Sequence, residues 1–252
     1  MNQSRVTKVL RQMAENNLPQ MLVSDPAAIY YLTGKWVHPG ERMLALYLTQ
    51  SGAHKLFLNQ LFSVPEELGV EKVWFSDTDD SIGILSRHIE KDSPLGIDKN
   101  WPSHFLLRLM AQKGDNAFVN GSAILDRIRS CKDKEERDLM RQSSRLNDLA
   151  IERLIKLVPR QLPEKKLAQL LPGIYEELGA DGCAFEPIVA YGPNAADPHH
   201  GPDNTGLREG DCVILDIGCK KDSYCSDMTR TVFYKYATAH AQKVYDVVLE
   251  AN

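Results

Sequence analysis

The stretch "VILDIGCKKDSYCSDMTRTVF", Val213 to Phe233, sets Asp216 and Asp227 inside two otherwise apolar runs. The runs read as two strands and the polar middle as the turn of a hairpin. With a four-residue loop, Lys220 to Ser223, position 219 faces 224 and Asp216 falls directly opposite Asp227. Cross-strand partners have Cβ atoms about 4.5–5.5 Å apart, so the two carboxylates share one face. At that spacing they repel by roughly 3 kcal/mol at an effective dielectric near 20, before desolvation is counted. A shared proton offsets such repulsion, but it requires two matched loops that this sequence does not show. Divalent cations also offset it, because carboxylates on a rigid hairpin are good oxygen ligands. The ordinary alternative is one Asp in solvent and the other capping a turn.

Working outward, "ADPHHGP" places His199 and His200 in a polar loop just before the hairpin, within reach of the same site. Upstream again, "PEKKLAQLLPGIYEELGA" has a helical pattern that Pro172-Gly173 should kink or split. Before that, "CKDKEERDLMRQSSRLNDLAIERLIKLV" reads as one long helix whose buried stripe is Leu139, Leu146, Leu149, Ala150, Leu154 and Leu157. Its charge run is a solvated face, and it marks a domain boundary.

The first 130 residues alternate strands and helices. Val6, Val9, Leu10 and Met13 lie at i, i+3, i+4, i+7 on one helix face. "DPAAIYYLTG" has an Asp cap, Pro at the first helical position and Gly at the end, so it reads as a short helix. "MLALYLT" and "HKLFLN" form a hairpin around "QSGA". "EKVWFSD", "PLGID" and "NAFVN" are further strands, separated by the helical "DDSIGILSRHIE" and "PSHFLLRLMAQ". This alternation predicts an α/β (α+β) domain with a mixed sheet and flanking helices.

The bulk composition excludes several classes of function. A chain of 252 residues with 43% hydrophobic and 25% charged residues has the composition of a soluble globular protein of one or two domains. A formal net charge of -4 without an extended Lys/Arg stripe argues against nucleic acid or an anionic membrane as partner. The N-terminus lacks the apolar core of a secretory signal and no segment approaches the roughly 20 apolar residues of a membrane span, so a cytoplasmic location is expected. Five cysteines without a CxxC pair do not read as a disulfide framework. Cys219 and Cys225 flank one turn and read as small semi-apolar fillers.

"PHH" at 198–200, "LREGDCVILDIG" at 207–218 and "SDMTRT" at 226–231 together resemble the M24 pita-bread metallopeptidases, in particular the Xaa-Pro dipeptidase (prolidase) and aminopeptidase P branch. The resemblance covers the whole chain. It implies a creatinase/prolidase N-terminal domain over residues 1–130, then the "KDKEERDLM" helix and the first half of a pita-bread catalytic domain over 131–252. It also implies that Asp216 binds one metal ion and Asp227 bridges two, as Mn, Co or Zn. His199, which follows Pro directly, would stabilise the substrate carbonyl, with His200 the alternative. Thr229, two residues beyond Asp227, would orient a ligand from the same face. The implied reaction is metal-assisted hydrolysis of the bond before proline in a dipeptide or proline-containing peptide. A homodimer is implied too, with Trp36 and His38 of "GKWVHPGER" as candidates for lining a partner's site. Rival readings are a creatinase-like hydrolase, a methionine aminopeptidase and a non-catalytic peptide- or histone-binding module.

The family completes its site with one further His and two Glu. Between Asp227 and Asn252 stand His240 and Glu250, in a helical segment whose expected buried stripe is Val244, Val247, Val248 and Ala251. The ending "AHAQKVYDVVLEAN" stops with that apolar face still running, which predicts truncation, with a natural end capped by Asn252 as the alternative. Weak or no metal binding and no activity are expected of this length of chain.

Overall fold

The computed structural model describes residues 1–251, and Asn252 with its expected cap lies outside the described residues. The chain divides into two compact units, Met1–Cys131 and Lys132–Asn252.

In the first unit the elements run α1 (Gln3–Glu15), β1 (Gln20–Val23), α2 (Pro26–Thr33), β2 (Ala45–Thr49), β3 (Lys55–Asn59) and β4 (Glu71–Phe75). They continue with α3 (Ser81–Ser86), β5 (Leu95–Ile97), α4 (Ser103–Gln112), β6 (Phe118–Asn120) and α5 (Ser122–Ser130). The caps are those the sequence announced. Asp25 accepts the Ala28 N–H at the start of α2, and Gly34 ends the helix at φ 75°, where a side chain would be strained. The sheet is mixed, in the order β4-β3-β2-β1-β5-β6. Strands β1, β2 and β3 pair antiparallel, whereas β3–β4, β1–β5 and β5–β6 are parallel. Because strand side chains alternate, β1 and β2 feed two cores. Met21, Val23, Leu46 and Leu48 pack on one face with α1, α2 and α5, and Leu22, Ala45 and Tyr47 on the other with α3 and α4.

The second unit opens with α6 (Lys134–Leu157), closed at its start by a capping box between Asp133 and Glu136. Most of the predicted stripe packs inward, with Ala150 and Leu154 buried and Leu146 and Leu157 against the same core, but polar residues share that face. Glu136, Ser143, Asn147, Ala150, Ile151 and Leu154 are inside, while Leu149 is half exposed. The reason is polar: Ser143 Oγ donates to the Cys219 carbonyl at 2.8 Å and Asn147 Nδ2 to the Ile217 carbonyl at 3.0 Å. Those carbonyls lie where a strand breaks, and buried backbone acceptors need partners.

After α6 come α7 (Glu164–Ala168) and α8 (Leu171–Glu177), the split expected near Pro172. Then follow β7 (Gly182–Cys183), β8 (Ile188–Tyr191), β9 (Cys212–Ile217), β10 (Cys219–Lys221), β11 (Tyr224–Cys225), β12 (Met228–Phe233) and α9 (Ala239–Ala251). The strands form two antiparallel sheets, β12-β9-β8 and β11-β10-β7. Val213, Leu215 and Ile217 point to one side of β9, into a core with α6, α7 and α8. On α9, Val244, Val247 and Val248 are about half exposed or more, so the stripe expected to be buried there is not. Among the described residues no helix is long and apolar enough to cross a membrane.

Candidate active site

The hairpin carrying the two aspartates turns more tightly than a four-residue loop. Lys221 pairs with Tyr224, leaving Asp222 and Ser223 as the two turn residues. Their φ values of 49° and 67° are the pair of left-handed conformations that a two-residue type I′ turn demands. The register therefore shifts by two. Asp216 pairs with Thr229, not with Asp227, and the expected direct opposition of the aspartates is corrected. A shift of two preserves the alternation, so Asp227 remains on the Asp216 face, one diagonal step away. The hairpin also breaks between β9 and β10 at Gly218. A Cβ there would sit 2.3 Å from Phe185 Cε1 and 2.8 Å from the Ser226 carbonyl oxygen. Glycine is what lets the two sheets meet so closely.

Asp216 Oδ1 is buried and has no hydrogen-bond partner. Burial pushes its carboxyl above the usual range, the Thr229 hydroxyl pulls it back, and the neighbouring Asp227 charge raises it again. Asp227 and Thr229 are exposed beside it. An orphaned buried acceptor next to a second carboxylate is what a divalent cation satisfies, so these residues fit a metal ion.

The histidine loop is held by a residue that motif reading missed. Glu164, the first residue of α7, is fully buried. Its Oε1 accepts the Tyr191 N–H at 2.7 Å and Asn194 Nδ2 at 3.0 Å. Its Oε2 meets His200 Nε2 at 2.8 Å and accepts the Asp203 N–H at 3.2 Å. Glu164, His200 and Asp203 bring ligand atoms within 4.8 Å of one another, the geometry of a possible cation site. With four donors already on the Glu164 carboxylate, the group acts as a clamp on residues 191–203. His200 is thereby held, whereas His199 is exposed and its backbone N–H is bound by Asp197. In the other unit, Trp36 Nε1 lies 3.3 Å from His38 Nδ1, with Trp36 partly buried and His38 exposed. No sequence signal marks Glu164, because its burial depends on a loop far along the chain.

Comparison with known proteins identifies the family. Residues 138–252 match metallopeptidase family M24, and residues 5–131 match the creatinase/prolidase N-terminal domain. The chain belongs to the M24 metallopeptidase family. Among solved structures it is similar to a recombinant prolidase from Thermococcus sibiricus, with a TM-score of 0.91 and 31% identity over 100% of this chain and 71% of that one. It is likewise similar to a dipeptidase from Pyrococcus horikoshii, with a TM-score of 0.88 and 31% identity over 98% of this chain and 70% of that one. An uncharacterized peptidase of Staphylococcus aureus is 25% identical over 99% of this chain and 71% of its own length.

Proposed function

We propose that this protein hydrolyses Xaa-Pro peptide bonds with divalent metal ions held in part by Asp216 and Asp227. The observation that carries the reading is the buried, unpartnered Oδ1 of Asp216 on the face it shares with Asp227. Likeness to a prolidase at 31% identity supports the choice of substrate. Asp216 and Asp227 would hold the ions, with Thr229 orienting Asp216 across the strand pair. Bound divalent ions supply Lewis-acid polarisation and a water of lowered pKa. His199, the ring not tied to Glu164, is assigned the hydrogen bond to the substrate carbonyl, where charge develops. Glu164 and His200 keep that loop in place. A bond to proline is a tertiary amide without an N–H, so a site that positions the carbonyl by side chains suits it.

Two carboxylates hold a divalent ion loosely, so the 252-residue chain is expected to bind Mn²⁺ or Co²⁺ weakly and to turn over slowly or not at all. The test assays this chain, and any longer product of the same gene, against an Xaa-Pro dipeptide and the same dipeptide without proline. Proline-selective turnover that Asp216→Asn abolishes supports the reading. A gene product that binds Mn²⁺ but leaves both peptides intact overturns it.

A further inference from the structure

In the sheet β11-β10-β7, Cys183 of β7 is paired directly with Cys219 of β10. The pairing is of the kind without mutual backbone hydrogen bonds. Ala184 N–H donates to the Gly218 carbonyl at 2.8 Å, while the Cys219 carbonyl turns the other way to accept the Ser226 N–H at 2.9 Å. Residues opposed in this manner have Cα atoms about 4.5 Å apart and side chains closer than at the alternate positions. A disulfide takes Cα separations of roughly 4.4–6.8 Å. Both residues are free thiols. Cys219 is fully buried in the core of the unit, and Cys183 packs against the same cluster. Cys183 also lines an open cleft of ≈ 740 Å³ between the α7–α8 region and segment 183–187, so a small reagent can reach it. Exposed Cys225 pairs with Lys220, the neighbour of Cys219, and successive strand residues face opposite ways. It is therefore not the natural mate of Cys219.

We propose that Cys183 and Cys219 are a disulfide-forming pair oxidised by a small-molecule disulfide entering through the cleft. The Cys183 thiolate attacks one sulfur of the reagent and expels the other as a thiolate, leaving a mixed disulfide. The Cys219 thiolate then attacks Cys183 Sγ and expels the second reagent thiolate. Two cysteine protons pass to the two released thiolates, the cysteine pair loses two electrons and the reagent gains them. Burial keeps both thiols above the usual cysteine range, which slows closure at neutral pH without blocking it. The bond closes the segment 184–218, which contains β8, the histidine loop and β9 with Asp216. A covalent tie would thus fix the frame on which the candidate ligands stand, whatever the substrate proves to be.

The folded 252-residue chain is incubated with oxidised glutathione, its remaining thiols are trapped with N-ethylmaleimide, and the digest is mapped without reduction. A Cys183–Cys219 linked peptide two hydrogens lighter than its separate halves is expected, lost on adding dithiothreitol. Cys183→Ser should abolish it, and Cys225→Ser should leave it unchanged. Links to Cys225 or Cys212 in its place, glutathione adducts alone, or no reaction in protein of native circular dichroism would each overturn the pairing. If Cys219→Ser does not fold, the wild-type map and Cys183→Ser at the more accessible position still decide it.

Discussion

Glu164 and Asp216 both carry carboxylate oxygens out of water in the same unit, yet Glu164 accepts four hydrogen bonds and Asp216 keeps one buried oxygen with none. Both lie near β8, Glu164 bonding the Tyr191 backbone and Asp216 pairing across to Ile188. The fold thus satisfies a buried carboxylate completely where its task is to hold a loop. It leaves one oxygen without a partner at Asp216, beside Asp227.

The largest effect is expected from Glu164→Ala, which strands the donors of Tyr191, Asn194, His200 and Asp203. A loss of about 3–5 kcal/mol is expected in urea unfolding followed by circular dichroism, and Glu164→Gln, which keeps the shape and two acceptor sites, should cost less. A Glu164→Ala change under about 1 kcal/mol would break the comparison.

Asp216→Asn should act in the opposite direction. In the metal-free chain it removes a partly buried charge and its repulsion by Asp227, and after solvent screening stability at pH 7 should rise by a fraction of about 1 kcal/mol. The pH dependence follows from the raised pKa. The folded state holds the Asp216 proton more tightly, so its contribution is present below the unfolded value of 3.8 and is lost as pH rises through the folded one. Asparagine should flatten that part of a stability-versus-pH curve. It should also weaken Mn²⁺ binding measured by paramagnetic resonance, and unchanged binding would remove Asp216 from the ligand set.

Thr229→Val, which deletes the hydroxyl facing Asp216, should shift stability by about 0.5–1.5 kcal/mol and leave the register intact by hydrogen exchange. The smallest effect at neutral pH belongs to Tyr47 in the first unit, whose hydroxyl donates to Gln20 Oε1 at 2.7 Å. Burial pushes this phenol up to about 12. Its contribution is complete below the ordinary tyrosine value of 10.0 and is lost as pH climbs towards 12, so Tyr47→Phe should flatten alkaline unfolding there.

Much of the first unit was legible because its signals are local. Asp25, Pro26 and Gly34 bracket α2 within ten residues of sequence, and the order of strands and helices follows from short apolar runs between turn residues. The second unit was legible at its motifs and less so at its packing. On α6 the apolar stripe was legible at Leu146, Ala150, Leu154 and Leu157, but not the burial of Ser143 and Asn147, which serve strand carbonyls, a need that hydrophobic period does not encode. The exposed valines of α9 mislead in the reverse sense: an apolar stripe marks a face suited to burial, and whether it is buried depends on what packs there.

By itself the sequence determined that Asp216, Asp227 and Thr229 share one face, since strand alternation has period 2 and survives a register shift of two. Only the tertiary structure decided which residue stands opposite which. The turn tightened to Asp222 and Ser223 and the strand broke at Gly218, where Phe185 and the Ser226 carbonyl approach too closely for any side chain. It decided as well that Glu164 holds the histidine loop and that Cys183 faces Cys219, because such pairings join residues distant along the chain and depend on how the sheets are stacked.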